Sequence, residues 1–162
     1  MQKLQASQTS NAAMFHVTCR RCDGIICGEI LNACFGDALP FRGLDQMLLA
    51  IDDMCEAAQF PMAEDRARFL KANTVRVLPT PLEAMTDRWR SYSPYEWLRR
   101  PGGTARGRAG RAKSTVFLLH VLYRQHASLQ GLVVCRERTA HGVHFRSGLE
   151  LIRMIDTYMA AP

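Results

Sequence analysis

The side chains able to do chemistry in this 162-residue chain are six cysteines, five histidines and a run of arginines. Cys19-Arg20-Arg21-Cys22-Asp23-Gly24 has the form of a zinc knuckle, with a strand, Cys-x-x-Cys and a glycine-bearing turn. Cys27 with Cys34, or with His16, would complete the four thiolate and imidazole ligands of a structural zinc site. A second Cys-x-x-Cys, which would make the motif specific, is absent, so the expectation is free thiols, no metal and no cofactor.

His16 and Arg20, and again His120 and Arg124, stand four apart within apolar-alternating stretches, which puts each pair on one sheet face. With Arg42 and Arg146 they form two candidate anion sites suited to phosphate or carboxylate. The plainer reading, solvated residues on the polar face of a half-buried sheet, is preferred because alternation requires such a face anyway. No Gly-x-Ser-x-Gly, Walker loop or His-Glu-x-x-His occurs, and the paired carboxylates Asp52-Asp53 are expected on the solvent side of a helix. No catalytic residue follows, and the chain is read as a non-enzyme.

The richest signal lies between the halves. Thr86 to Arg100 sets Trp89, Tyr92, Tyr95 and Trp97 among Arg88, Arg90, Arg99 and Arg100. A Gly-rich basic run follows, with Arg106, Arg108, Arg111 and Lys113. Arginine and lysine neutralise phosphates, and aromatic rings stack on unpaired bases at roughly 1–3 kcal/mol each. Trp, Tyr and Arg are equally the usual anchors of protein interfaces. A soluble tether is the third reading of the same composition.

The elements that must hold these residues come in two sets. Phe41-Arg42-Gly43-Leu44-Asp45-Gln46-Met47-Leu48-Leu49-Ala50-Ile51-Asp52 returns, 104 residues on, as Phe145-Arg146-Ser147-Gly148-Leu149-Glu150-Leu151-Ile152-Arg153-Met154-Ile155-Asp156. His16 to Arg20 matches His120 to Arg124 at the same offset. This marks an internal duplication. In the first copy Phe15, Val17 and Cys19 alternate with polar residues, Cys22-Asp23-Gly24 turns the chain, and Ile25 to Leu31 returns. Leu39 to Arg42 adds a short strand. A helix from Gly43 to Ala58 carries the buried stripe Leu44, Met47, Leu48, Ile51, Met54, Cys55 and Ala58, closed by Phe60-Pro61.

In the second copy, strands are expected at Val116 to Arg124, Leu129 to Arg136 and Gly142 to Arg146. The last helix opens on a capping box of Ser147 and Glu150. Between the copies, Glu64 to Ala72 reads as a short helix and Thr74 to Leu78 as a short strand. The expected fold is α+β: two tandem ββα or βββα units related by a pseudo-twofold axis and joined by a basic connector. The boundaries are 1–13 for a disordered leader, 14–60 for the first unit, 61–114 for the connector and 115–162 for the second unit. A lone unit buries too little surface, so the two should share one sheet or one core.

The segment Tyr123-Arg124-Gln125-His126-Ala127-Ser128-Leu129-Gln130-Gly131, with Phe145-Arg146-Ser147-Gly148-Leu149-Glu150-Leu151, resembles a family of small bacterial proteins of unassigned function. Its members carry Arg-Gln-Asn-Ala-Ser-Trp-Gln-Gly and then Phe-Arg-Ser-x-Leu-Glu-Leu; here His126 and Leu129 replace Asn and Trp. The first copy, with Phe41-Arg42-Gly43-Leu44-Asp45, Phe60-Pro61, Ala63 and Arg68, is similar to a second such set. The resemblance implies the two-unit fold and brings no catalytic residue.

Composition bounds the rest. With 48% hydrophobic and 22% charged residues the chain is that of a soluble globular protein, without an apolar run long enough to span a bilayer. The polar Met1 to Ala13 stretch lacks a signal-peptide core, so the cytoplasm and reduced cysteines are expected. The window from Trp97 to Arg136 holds eight positive charges and no negative one, leaving the remainder of a chain of net charge +6 at −2. The basicity therefore belongs to one segment. The expected function is regulatory binding of nucleic acid through the connector, with a protein-binding adaptor or inhibitor as the alternative and a zinc-knuckle protein third. No membrane partner is expected, and monomer and homodimer stay equally open.

Overall fold

The computed structural model describes residues 12–66, 68–71, 74–83, 114–137 and 142–161. Strand β1 (Met14–Cys22) turns through Asp23 and Gly24, both at positive φ, into β2 (Ile25–Asn32). Asp-Gly suits a two-residue hairpin turn because its mirror-image twist matches that of the strands. β3 (Leu39–Arg42) leads to helix α1 (Leu44–Ala58). The second set is β4 (Thr115–Tyr123), β5 (Gln130–Cys135), β6 (Val143–Phe145) and helix α2 (Gly148–Ala160). The class is α+β, and three strands followed by one helix occur twice in chain order.

All six strands join one sheet in the order β3-β2-β1-β4-β5-β6, every neighbouring pair antiparallel. The central pair makes the sheet continuous: β1 and β4 pair from Met14↔His120 to Cys19↔Thr115, so neither half leaves that edge open. Alternation then sorts the side chains. Phe15, Val17 and Cys19 of β1 and Phe117, Leu119 and Val121 of β4 face the core with Met47, Ile51 and Met54 of α1 and Leu151 and Ile155 of α2. Each fully buried aliphatic or aromatic side chain contributes about 1.5–3 kcal/mol. On the opposite face Met14, Leu118 and Val134 form a smaller apolar cluster, with Leu132 against it. The helix stripe is as the periodicity requires: Leu44, Met47, Ile51, Met54 and Cys55 are buried.

Three expectations are corrected. Ala12 and Ala13, inside the stretch read as a leader, pack into the fold. Both are buried, and the Asn32 amide, itself fully buried, donates to the carbonyls of Ala12 (2.8 Å) and Met14 (3.0 Å). The described residues between Glu64 and Lys71 form no helix, because Glu64 N–H donates instead to the Arg124 carbonyl at 3.0 Å, beside a parallel bridge from Ala63 to Arg124. Thr74 to Leu78 joins no ladder. Its Arg76 turns onto α1 while Val75 and Val77 point outward, 85% and 90% exposed. Described parts of the stretch read as connector thus touch the folded body, the last through Leu82, whose N–H donates to the Cys34 carbonyl at 2.8 Å.

Close backbone approach makes two glycines obligatory. A Cβ on Gly28 would lie 1.7 Å from the Thr18 carbonyl oxygen, and one on Gly131 2.0 Å from that of His120. Each glycine also leaves room for the ring of its cross-strand partner, Phe41 or Phe145. Gly131→Ala is expected to destabilise the protein by about 1–3 kcal/mol or more, since the neighbour is backbone and gives little. Urea denaturation of Gly131→Ala beside Gly24→Ala checks this, because a Cβ on Gly24 meets nothing within 4 Å and only its positive φ opposes the change.

Candidate functional site

An open cleft of about 1080 Å³ lies between α1, the 62–78 stretch and the turn after β4. Its floor is a ladder of charges. Asp52 and Glu56 stand four apart on α1 and so share one helix face. Arg124 reaches into them: its Nη2 lies 2.8 Å from Glu56 Oε2 and 2.9 Å from Asp52 Oδ1, and its Nη1 donates to the Pro61 carbonyl at 3.2 Å. On the other side of Asp52, Arg76 Nη2 donates to Oδ2 at 2.6 Å, and Arg76 Nε bonds Asp53. The Arg124 side chain is only 5% exposed, so this guanidinium is desolvated and depends on its carboxylates. Among the described residues, no buried side-chain nitrogen or oxygen lacks a hydrogen-bond partner.

The turn after Arg124 is built from residues with individual tasks. His126 and Ala127 both take the left-handed conformation, with φ of 53° and 52°. Ser128 N–H donates to the Gln125 carbonyl at 3.0 Å, and Ser128 Oγ accepts from Gly148 N–H at 3.0 Å, at the start of α2. Leu129 is buried. Ser147 caps α2 by accepting from Glu150 N–H at 3.2 Å. The Glu150 carboxylate accepts in turn from Arg146 N–H, as Gln46 does from Arg42 N–H at the start of α1, both at 2.6 Å. The Arg-Gln-x-Ala-Ser stretch therefore holds structure together, with Arg124 bound to α1 and Ser128 to α2.

The anion-site residues separate. His16, Arg20 and Arg42 do share the sheet face away from the helices, on β1 and β3. His120 lies on that face as well, but the register shifts between Val121 and Tyr123. A one-residue irregularity sends later side chains to the opposite face. Arg124 accordingly turns to the helix side, and the two sets are not equivalent. Arg146 projects into solvent, its side chain 88% exposed, and pairs with Glu150 at 3.2 Å. Asp52 and Asp53, expected on the solvent side of the helix, are acceptors of the ladder. Sequence reasoning missed this role, and missed Glu56 and Arg76. The available signal was the Asp52/Glu56 spacing beside the apolar stripe.

The cysteines follow strand parity. Three positions apart in β1, Cys19 and Cys22 fall on opposite faces, so the proposed knuckle of Cys19, Cys22, Cys27 and Cys34 does not converge. Cys22 is joined instead to Cys27 by a disulfide across the hairpin, which corrects the expectation of six reduced thiols. Cys19 and Cys55 are buried thiols whose desolvation pushes their pKa up to about 12, outside the range of a nucleophile. Among the described residues no cluster of three or more His, Cys, Asp or Glu could hold a metal. Arg88, Trp89, Arg90, Trp97, Arg99, Arg100, Arg106, Arg108, Arg111 and Lys113 all lie outside the described residues. None of the described helices is long and apolar enough to cross a membrane. Compared with protein-family models, curated proteins and solved structures, the chain matches none.

Two outcomes follow from this geometry. Arg124→Met leaves Glu56, one oxygen of Asp52 and the Pro61 carbonyl without this donor and is expected to cost about 1–3 kcal/mol in urea denaturation, whereas Arg146→Met leaves the midpoint unchanged. His16 is the second. Burial, aided by the charge of Arg136, lowers its pKa from 6.5 to about 4. Above pH 6.5 the imidazole is neutral in both states and the contribution is complete. As pH falls toward 4 the unfolded chain takes up a proton that the folded one refuses, and up to about 3 kcal/mol is lost. His16→Gln is expected to flatten that part of the stability–pH curve relative to wild type.

Proposed function

We propose that the chain is a non-enzymatic, cytoplasmic regulatory protein whose two βββα units, duplicated and related by a pseudo-twofold axis, form a rigid scaffold for a segment that binds nucleic acid. The observation that carries this is the partition of charge. Residues 84–113 hold eight positive side chains against Asp87 and Glu96, which makes the whole net charge of +6 theirs and leaves the rest of the chain neutral. Within the folded body the cleft guanidiniums of Arg76 and Arg124 are already matched by Asp52, Asp53 and Glu56. The stretch is held at both ends: Leu82 bonds Cys34 before it, and Thr115 pairs with Cys19 after it. The duplication is supported by the shared Arg42–Gln46 and Arg146–Glu150 bonds and by the paired tasks of Gly28 and Gly131.

Arg88, Arg90, Arg99, Arg100, Arg106, Arg108, Arg111 and Lys113 would meet phosphates, and Trp89 and Trp97 would stack on unpaired bases. A protein partner is the second reading. It is favoured by the exposure of Val75 and Val77 shortly before this stretch, where apolar side chains would otherwise be covered. Fluorescence anisotropy with single- and double-stranded oligonucleotides at graded salt tests the first reading. Affinity is expected to fall steeply with salt on a log–log plot. Replacing Arg99, Arg100, Arg106, Arg108, Arg111 and Lys113 by Gln should weaken binding to every sequence and flatten the slope, with the melting temperature held. Absence of binding at about 50 mM salt would remove nucleic acid and leave the protein partner.

A further inference from the structure

Cys22 and Cys27 sit on the sheet face that carries no helix, joined across the hairpin tip. The two sulfurs are not alike. Cys22, the last residue of β1, is half-buried, whereas Cys27 is 9% exposed. Directly opposite Cys27 stand two arginines: Arg20 is its partner on β1 and Arg42 its partner on β3. Cross-strand partners share a face and hold their Cβ atoms about 4.5–5.5 Å apart. Cys27 is therefore flanked by an arginine residue on each neighbouring strand, both exposed and both on its own face. The carboxylate of Glu29 lies two residues along β2 on the same face, opposite Thr18 and Pro40, and Asp23 lies in the turn. Arg21 points to the other face and reaches the end of α2, donating to the Met159 carbonyl at 3.2 Å.

A thiolate leaves more readily when nearby cations stabilise it, and the leaving sulfur's acidity governs the rate of thiol–disulfide exchange. An accessible sulfur joined to one with two arginines beside it gives that exchange a direction. We propose that Cys22–Cys27 is a redox-active cystine exchanging with an anionic small-molecule thiol of the glutathione class. Arg20 and Arg42 act as positioning residues for the carboxylates of that thiol and for the Cys27 sulfur. The incoming thiolate attacks Sγ of Cys22. The bond from Cys22 to Cys27 breaks, its electron pair stays on Cys27 as thiolate, and a mixed disulfide forms on Cys22. A second thiolate attacks the small-molecule sulfur of that mixed disulfide, releasing Cys22 as thiolate and the oxidised small-molecule disulfide. The protein cystine gains two electrons and the two small thiols lose them, with protons taken from and returned to solvent.

The test uses the full chain with reduced and oxidised glutathione as the probes, quenched by alkylation and read by peptide mass. The expected result is reversible conversion of the Cys22–Cys27 pair in the folded protein, with a glutathione adduct on Cys22 when Cys27→Ser is treated with oxidised glutathione. Arg20→Gln with Arg42→Gln should slow reduction by roughly threefold to tenfold and raise the Cys27 thiol pKa measured from the pH dependence of alkylation. A lower rate for glutathione with an unchanged rate for the uncharged thiol mercaptoethanol assigns the arginines to the carboxylates; a lower rate for both assigns them to the leaving sulfur. Three results would overturn the proposal: Cys22 and Cys27 alkylating as free thiols in air-purified protein, a cystine that reduced glutathione opens only after unfolding, or the double arginine variant exchanging at the wild-type rate with both thiols. None of these measurements involves nucleic acid, so the proposal stands apart from the reading of residues 84–113.

Discussion

One buried guanidinium ties the second set of strands to the first helix and the chain leaving it. Arg124 comes from the end of β4, its acceptors Asp52 and Glu56 from α1, and Pro61 from the chain leaving α1. Arg76 joins the same Asp52 from the stretch beyond. Residues far apart in sequence thus meet at one carboxylate, each of whose oxygens faces a different arginine. A buried ion pair adds little net stability over a well-packed apolar contact, but it is costly to break or misplace. Its effect here is on register. The Arg124 backbone also pairs with Ala63 and accepts from Glu64, so the side chain and the main chain fix the same alignment of β4 against the exit from α1.

The period-two and period-3.6 patterns were enough to read all six strands and both helices from the sequence, because each buries one face against the other layer. What failed were the places where a long-range contact overrides a local one. Arg124 was legible as a strand residue four beyond His120, and alternation alone put it on the wrong face; the irregularity between Val121 and Tyr123 is a property of the β4–β5 pairing. Glu64 to Lys71 has the composition of a helix, yet its first N–H, that of Glu64, is drawn to the Arg124 carbonyl at the end of β4. Asp52 and Asp53 look like ordinary solvent-side carboxylates until Arg76 arrives from more than twenty residues away. The second anion set, and with it the equivalence of the two, failed with Arg124, while His16, Arg20 and Arg42 keep one face; the nucleic-acid reading rests on residues outside the described ones.

The same alternation sorts the sulfur chemistry. Cys19 and Cys55 enter the layer between sheet and helices, where desolvation suppresses the thiolate. Cys22 and Cys27 have the opposite parity and lie on the face shared with Arg20 and Arg42. Reading Cys19-x-x-Cys22 as a metal knuckle requires both residues to flank a turn. The turn is only Asp23-Gly24, and β1 runs to Cys22. A Cys-x-x-Cys lying within a strand offers its sulfurs to opposite faces, so its chemistry belongs to cross-strand partners and not to its own spacing.

Charge is divided with similar economy. The described cations nearest the core are spent on the protein's own carboxylates, and residues outside 84–113 sum to neutrality. A neutral body attached to a segment of net charge +6 directs its long-range attraction from that segment alone. Among the described residues, Arg76 and Arg124 are thus committed to the protein's own carboxylates.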